Sequence, residues 1–572
     1  QPYFTEDAYD DFYFGKGSTY PDINGSVGIL FEQKSIRGQA LATSNGTETF
    51  RMAIANQLAM SLTTLRGSWA HREQLKSYQS GFHQGMIERA RQRGHAGWIV
   101  GDDGDPERAR AFLDVLDLHR IEFQPVAETI RTGGHEFERN HAWVIPARQR
   151  QFGLLESLME QRTRFEDNTF YDVSAWTLPL AYTLPYATIS RLPERAEPAA
   201  LSSAVPPDPA APAWVIPWNQ LNAPQVLQRL LTAGARVRAA TRAFSAQTAG
   251  GLRPFRAGDL VLQAGIQDTE TRQQAIKILG DAVESGITVF SLASTMTASG
   301  PDLGAKHFKL VRPVRPLILG GKGASSYDVG EQWFLLDQRL HMPAAISEMR
   351  RLSEVALQDY THLLLADGDY SSLDQVQRER VTRWVLEGGI LVTAARAATW
   401  AESLCYRLPE DCVTAPEAGS VTEPASPRAY SEFAVDKAEQ VIGGAIVNTA
   451  LDLSHPLAFG YTRPELPLFR RGTTELAASD NPYSTPVRYA GDPLMAGYIG
   501  PDRLEAIRNR PAVIAEKQGE GLVVRFANTP LFRGFWRGTE RLLVNAIYFG
   551  QVVESTELPE FIEQPKPESP RH

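Results

Sequence analysis

The chain has 572 residues, room for roughly three to four domains at about 150 residues each. It is 43% hydrophobic and 22% charged, with a net charge of -9 and a pI near 5.8. That balance excludes the basic footprint of a nucleic-acid partner, and no apolar run approaches the roughly twenty residues a membrane span needs.

Residues 27–31 are a short, mostly apolar run bounded by Asn24-Gly25 and Ser35, which predicts a buried strand with the carboxylate of Glu32 at its carboxyl end. An acid there stands where α/β proteins place their chemistry. The other reading is a structural ion pair with Arg37. Ser44-Asn45-Gly46-Thr47 then offers a turn and a helix cap. Phe50, Ile54, Leu58, Leu62, Leu65 and Trp69 recur at spacings of three and four, predicting a long helix whose apolar stripe packs into a core.

Residues 97–100, 105–118 and 121–126 read as strand, helix and strand, a β-α-β unit. The turn Gly101-Asp102-Asp103-Gly104 lacks both EF-hand spacing and the dinucleotide fingerprint, and reads as a solvated turn. His135-x-x-Glu138-x-x-His141 has the composition of a zinc site. On a helix the three would drift by about 60° per step. On a strand Glu138 would face away from both histidines. Gly133-Gly134 and the run 142–146 favour a hairpin instead. Residues 165–186 are rich in aromatics and read as packed loop, and 194–213 as a Pro/Ala-rich linker.

Strand and helix patterns alternate from 213 to 290, predicting a parallel or mixed sheet with helices over it. A strand at 317–319 closes on Gly320-Gly321-Lys322-Gly323, which lacks the spacing of a nucleotide-binding loop. A strand at 362–366 ends at Asp367-Gly368-Asp369, acids that either line a ligand crevice or sit solvated in a turn. Residues 372–375 read as a capping box opening a helix to 387, and 390–394 as the next strand. Asp452 and His455 read as a structural turn, 413–430 as a polar insertion, and the tail from 556 as acidic and Pro-rich. Cys405 and Cys412 either close a small disulfide loop in an oxidising compartment or are two unrelated thiols.

The run YDDFYFGKGSTYPDINGSVGILFEQKSIRG, residues 9–38, resembles the last part of the catalytic domain of the carboxypeptidase A-like zinc carboxypeptidases, and the resemblance extends over about the first ninety residues. It implies Glu32 as general base, Tyr13 or Tyr9 as the substrate-contacting loop tyrosine, zinc as cofactor, and a peptide or protein as substrate. In that family a His-x-x-Glu pair and a later His hold the zinc upstream of the general base. Here no histidine precedes His71, so the ligands are expected before residue 1, in a longer precursor outside the cytoplasm (periplasmic or secreted). Residues 165–186 resemble a segment found beyond the catalytic region of long bacterial carboxypeptidase-like proteins.

From about 315 to 550 the order of elements resembles the class I glutamine-amidotransferase-like, flavodoxin-type fold. The turn that would hold its cysteine nucleophile reads Ala394-Ala395-Arg396-Ala397, which implies a non-catalytic member. The expected architecture is therefore α/β throughout. Residues 1–90 end a zinc carboxypeptidase-like domain, 91–193 and 214–314 are α/β accessory regions around the linker 194–213, 315–555 is the amidotransferase-like domain, and 556–572 is a tail. The expected function is a zinc metallocarboxypeptidase-type hydrolase, with this chain alone inactive. The alternative is a non-enzymatic binding or scaffolding protein with a degenerate peptidase remnant.

Overall fold

The computed structural model describes residues 12–44, 46–166, 168, 170, 172–194, 205–406 and 428–555. Tyr9, Cys412, and most of the linker, the insertion and the tail lie outside the described residues. Helices and sheets are mixed along the chain, as an α/β protein requires.

Residues 27–31 do not form the expected buried strand. Among the described residues they have no ladder partner, and Val27, Ile29, Leu30 and Phe31 are all exposed. A strand exists only by hydrogen bonding to a neighbour, and no described strand runs beside this one. The helix expected next does form, over Phe50–Ala70, with the Thr49 hydroxyl accepting the Met52 N–H at 3.2 Å. Its predicted burial fails: no residue of this helix is buried, and Trp69 is 73% exposed. Spacing decides that six apolar side chains share a face, whereas burial needs a surface opposite, and no described element covers this one. The following helix, Arg72–Gln92, touches the body of the protein near its end, through Met86 and the buried Ala90.

The strand Gly97–Gly101 leads into the helix Pro106–Leu118, capped by Asp105 accepting the Arg108 N–H. The return strand, Gln124–Pro125, does not lie beside the first. Ala142–Pro146 inserts between them, antiparallel to both, and Tyr186–Ile189 completes a four-stranded sheet. The expected β-α-β unit is thus a split one. Ile130–Thr132 pairs with His135–Phe137 around Gly133-Gly134, the predicted hairpin. The aromatic loop packs as expected: Phe165, Phe170 and Trp176 surround Phe12 with ring centroids 5.2–5.6 Å away.

The middle region corrects a second expectation. Its seven strands, Gly251–Phe255, Phe244–Thr248, Phe290–Leu292, Ala213–Ile216, Leu260–Gln263, Val237–Ala240 and Phe308–Leu310 in spatial order, pair antiparallel throughout. The helices Ala223–Thr232 and Thr269–Glu284 are there, but Leu260–Gln263 separates the strands that the first helix joins.

The terminal sheet has nine strands. Ala345–Glu348, Pro316–Gly320, His362–Leu365, Ile390–Ala394 and Gly521–Phe526 run parallel. Pro511–Gln518, Val487–Ala496, Ala445–Leu451 and Glu465–Arg470 extend the sheet antiparallel. The capping box falls two residues later than expected, with Asp374 and Gln377 exchanging bonds at the start of helix Gln375–Leu386. The middle and terminal regions share one continuous core around the helix Arg537–Phe549, buried from Gly538 onward. Asn545 accepts the Trp218 indole N–H at 2.8 Å and donates to the carbonyls of Leu457 and Phe459.

Candidate functional site

Three places gather chemistry-bearing side chains. The first is the carboxyl edge of the parallel strands, where the chain leaves Ile390–Ala394 for the helix Arg396–Glu402. Ala395 at that junction is held at φ 51°, ψ -124°, in the region a non-glycine residue avoids. A sharp strained strand-to-helix turn is how α/β hydrolases expose a nucleophile, with the next backbone N–H facing the oxyanion. Here an alanine methyl stands in the nucleophile's place. The N–H of Arg396 donates instead to Asp367 Oδ1 at 3.2 Å, and the Arg396 guanidinium clasps both oxygens of that carboxylate at 2.8 and 3.0 Å. The N–H that would face an oxyanion is thus already bonded to an internal carboxylate. Asp369 is a turn acid, accepting the Ser371 N–H, as one of its two readings held. Gly323 explains the glycine-rich loop: at φ 104° a Cβ would lie 2.6 Å from the Asp369 carbonyl oxygen, so the loop is closed by packing against its neighbour.

Beside this edge Ser325 caps helix Ser326–Trp333 and hydrogen-bonds Asp328. One turn on, Glu331 accepts from the Thr529 hydroxyl at 3.1 Å and the Arg533 N–H at 2.5 Å. Burial, reinforced by the charge of Asp328, pushes the Glu331 carboxyl up to about 7. Its folded value lies above its unfolded one, so the stability of its protonated form is present below about pH 4.5 and lost as the pH rises through 7. Glu331→Gln cannot ionise, and its carbonyl oxygen can still accept the Arg533 N–H while its amide N–H donates to the Thr529 hydroxyl oxygen. The variant is expected to gain on the order of 2 kcal/mol over the parent near pH 8 and nothing near pH 4.5, read as the difference in unfolding free energy across a pH series.

The second place is a cleft of about 2270 Å³ between the first sheet and the middle region. His141 stands on its wall with its ring 55% exposed, and its Nδ1 meets Asp102 Oδ2 at 2.7 Å. Asp102 itself is buried, which corrects the solvated reading of its turn, and it also accepts the Gly104 N–H at 2.9 Å. Burial holds its carboxyl above the usual range, against the pull of His141. A buried carboxylate holding one imidazole nitrogen leaves the other available as a proton acceptor in the cleft. Sequence reading missed this pair: Asp102 directly follows the strand Gly97–Gly101, His141 directly precedes its neighbour Ala142–Pro146, and only the pairing of those strands joins them. His135 lies against Phe137, and Glu138 is exposed. Among the described residues no three potential ligands converge to hold a metal.

The third place is the amino-terminal arm. Glu32 is exposed, and among the described residues it has no hydrogen-bond or ion-pair partner, Arg37 included. Tyr13 is half-buried, its ring 5.1 Å from that of Trp176 and under the Arg533 guanidinium at 5.3 Å. Among the described residues the structure does not bring Tyr13 together with Glu32. Asp452 and His455 form the expected structural turn, His455 Nδ1 accepting the Leu457 N–H. Cys405 is disulfide-bonded. No described helix is long and apolar enough to cross a membrane.

No protein-family model and no curated protein matches the chain. Among solved structures it is similar to a ThuA-like protein from Bacteroides uniformis (13% identity, TM-score 0.25, 42% of this chain and 93% of that one). It is also similar to a cytoplasmic protein from Salmonella typhimurium (11%, 0.23, 41% and 98%). A β-galactosidase from Bacillus circulans matches at 15% identity and TM-score 0.21, over 49% of this chain and 35% of that one. With TM-scores this low, none of these likenesses bears on what the chain does.

Proposed function

We propose that this chain is the carboxyl-terminal portion of a zinc metallocarboxypeptidase-type peptide hydrolase. Glu32 is its general base, Tyr13 or Tyr9 contacts the peptide substrate, and the zinc ligands lie in sequence preceding residue 1. The observation that carries the reading is the uncovered apolar arm. Val27, Ile29, Leu30 and Phe31, then Phe50, Ile54, Leu58, Leu62, Leu65 and Trp69, have the pattern of a core strand and a core helix, yet all are exposed. Covering such side chains is worth about 1.5–3 kcal/mol each, and exposed apolar surface on this scale marks an interaction face. The remainder of a catalytic domain, its sheet beside residues 27–31 and its core against the helix, is the cover that this reading supplies.

The described residues do not fit zinc, because no set of three ligands converges among them. No chemical step is therefore assigned to the metal here. The terminal domain is read as amidotransferase-like and non-catalytic, on the strength of the alanine at the strained turn and the carboxylate beside it. The disulfide at Cys405 supports an extracytoplasmic location. The alanine turn equally suits a second reading, a binding or scaffolding protein whose peptidase remnant is only structural.

Zinc per chain after dialysis, measured on the full-length protein and on residues 1–572, tests both. One zinc on the full-length protein with release of carboxyl-terminal residues from peptides, and none on 1–572, is the expected result. A full-length protein without zinc or hydrolysis favours the scaffold. Zinc bound by 1–572 alone overturns the placement of the ligands.

A further inference from the structure

Among the described residues Arg533 is one of eight non-glycine residues at positive φ, with φ 49° and ψ 22° within the short turn Phe532–Gly534. Such a conformation persists only where its surroundings over-determine it, and such residues cluster at clamps and binding sites. The surroundings here are specific. The Arg533 N–H donates to Glu331 at 2.5 Å, and Nη2 donates to Asp172 at 2.6 Å. The guanidinium lies 4.9 Å from the Phe532 ring centroid and 5.3 Å from that of Tyr13. Tyr13 also meets Trp176 and Phe14, at 5.1 and 5.5 Å, and its carbonyl accepts the Thr19 hydroxyl at 2.7 Å. Burial raises the phenol's pKa and the neighbouring Arg533 partly offsets it, as a cation in direct reach of the hydroxyl should. Three separate parts of the chain therefore meet on one side chain: the amino-terminal arm, the aromatic loop and the terminal domain.

We propose that Arg533 is a positioning residue that fastens Tyr13 for substrate contact, so that the terminal domain sets the geometry of the peptidase's substrate-binding segment. The assignment rests on the peptidase reading of Glu32 and Tyr13. It gives the terminal domain a task that needs no nucleophile, which suits a domain whose strained turn carries alanine.

Arg533→Gly is the informative variant. Glycine favours the left-handed backbone and keeps the N–H to Glu331, so only the side chain is removed. In residues 1–572, amide exchange over 12–19 is expected to rise about tenfold or more on this substitution, with exchange in the strand Ile390–Ala394 unchanged. In the full-length protein KM is expected to rise about tenfold with zinc content unchanged, and Arg533→Lys to recover part of the loss. Arg533→Gly and Tyr13→Phe combined should be little worse than the more severe single variant, because the two residues act as one unit. Unchanged exchange over 12–19, or fully additive effects on KM, overturns the proposal. Hydrolysis indifferent to Glu32→Gln overturns instead the peptidase reading, and with it the role given to Arg533; the exchange result then reports only on the joint.

Discussion

Glu32→Gln in the full-length protein is expected to lower kcat/KM for peptide hydrolysis by about 10²–10⁴-fold while zinc content and thermal midpoint stay at parental values. Glutamine has the size of glutamate and keeps an acceptor oxygen, but it cannot take a proton. The substitution therefore separates base chemistry from structure. The structural side is already constrained, since Glu32 is exposed and has no partner among the described residues. A structural ion pair with Arg37 would have predicted a loss of stability instead, and that pair is not formed. Glu32→Asp, which retracts the carboxylate by one methylene, should fall between the parent and the glutamine variant. Parental activity in Glu32→Gln would remove the general base from the reading, whatever the zinc assay gave.

The largest effect on stability is expected from Arg541→Ala. Arg541 is buried in the shared core, and its guanidinium donates to the carbonyls of Trp218, Asn219 and Gln220, the last two at 3.2 and 2.8 Å. It also lies over the Trp218 ring at 5.7 Å. Burial, with the nearby charge of Arg108, pulls its pKa down to about 10, so it remains charged at neutral pH. Truncation leaves the Trp218 carbonyl without its donor and a void beside the Trp218 ring, while Asn219 keeps the Arg108 Nη2 donor at 3.5 Å and Gln220 the Ala223 N–H at 3.2 Å, a loss of about 2–4 kcal/mol. Arg541→Lys keeps the charge but cannot reach several carbonyls with one planar fork, and should recover less than half. Denaturant unfolding of residues 1–572 would show the shift in midpoint. A change in unfolding free energy below about 0.5 kcal/mol would mean that the apolar packing and the Trp218–Asn545 bond hold the middle and terminal regions together without Arg541.

What local pattern could reveal, it revealed. The turn at 394–397 was legible because a strand, a tight turn and a helix follow one another in sequence, and the missing nucleophile is a matter of residue type. The hairpin at Gly133-Gly134 was legible for the same reason, as two glycines with positive φ make it. Read locally, Asp102 is a turn acid and His141 the foot of a hairpin strand. Nothing in their neighbourhoods says that one strand will pair with the other and set the two side chains 2.7 Å apart. Tyr13 and Arg533 are still further removed, near opposite ends of the chain.

The amino-terminal arm draws the line most clearly. The apolar spacing from Phe50 to Trp69, with Thr49 as cap, determines by itself that Phe50–Ala70 is a helix with one hydrophobic face, because backbone bonding and capping are local. Whether that face is covered depends on surfaces supplied from elsewhere, and only the tertiary structure decided that no described element supplies one. The same holds for the middle sheet. Alternating strands and helices were plain in the sequence, but strand direction depends on which neighbours pair, and the long-range hydrogen bonding made every pairing antiparallel.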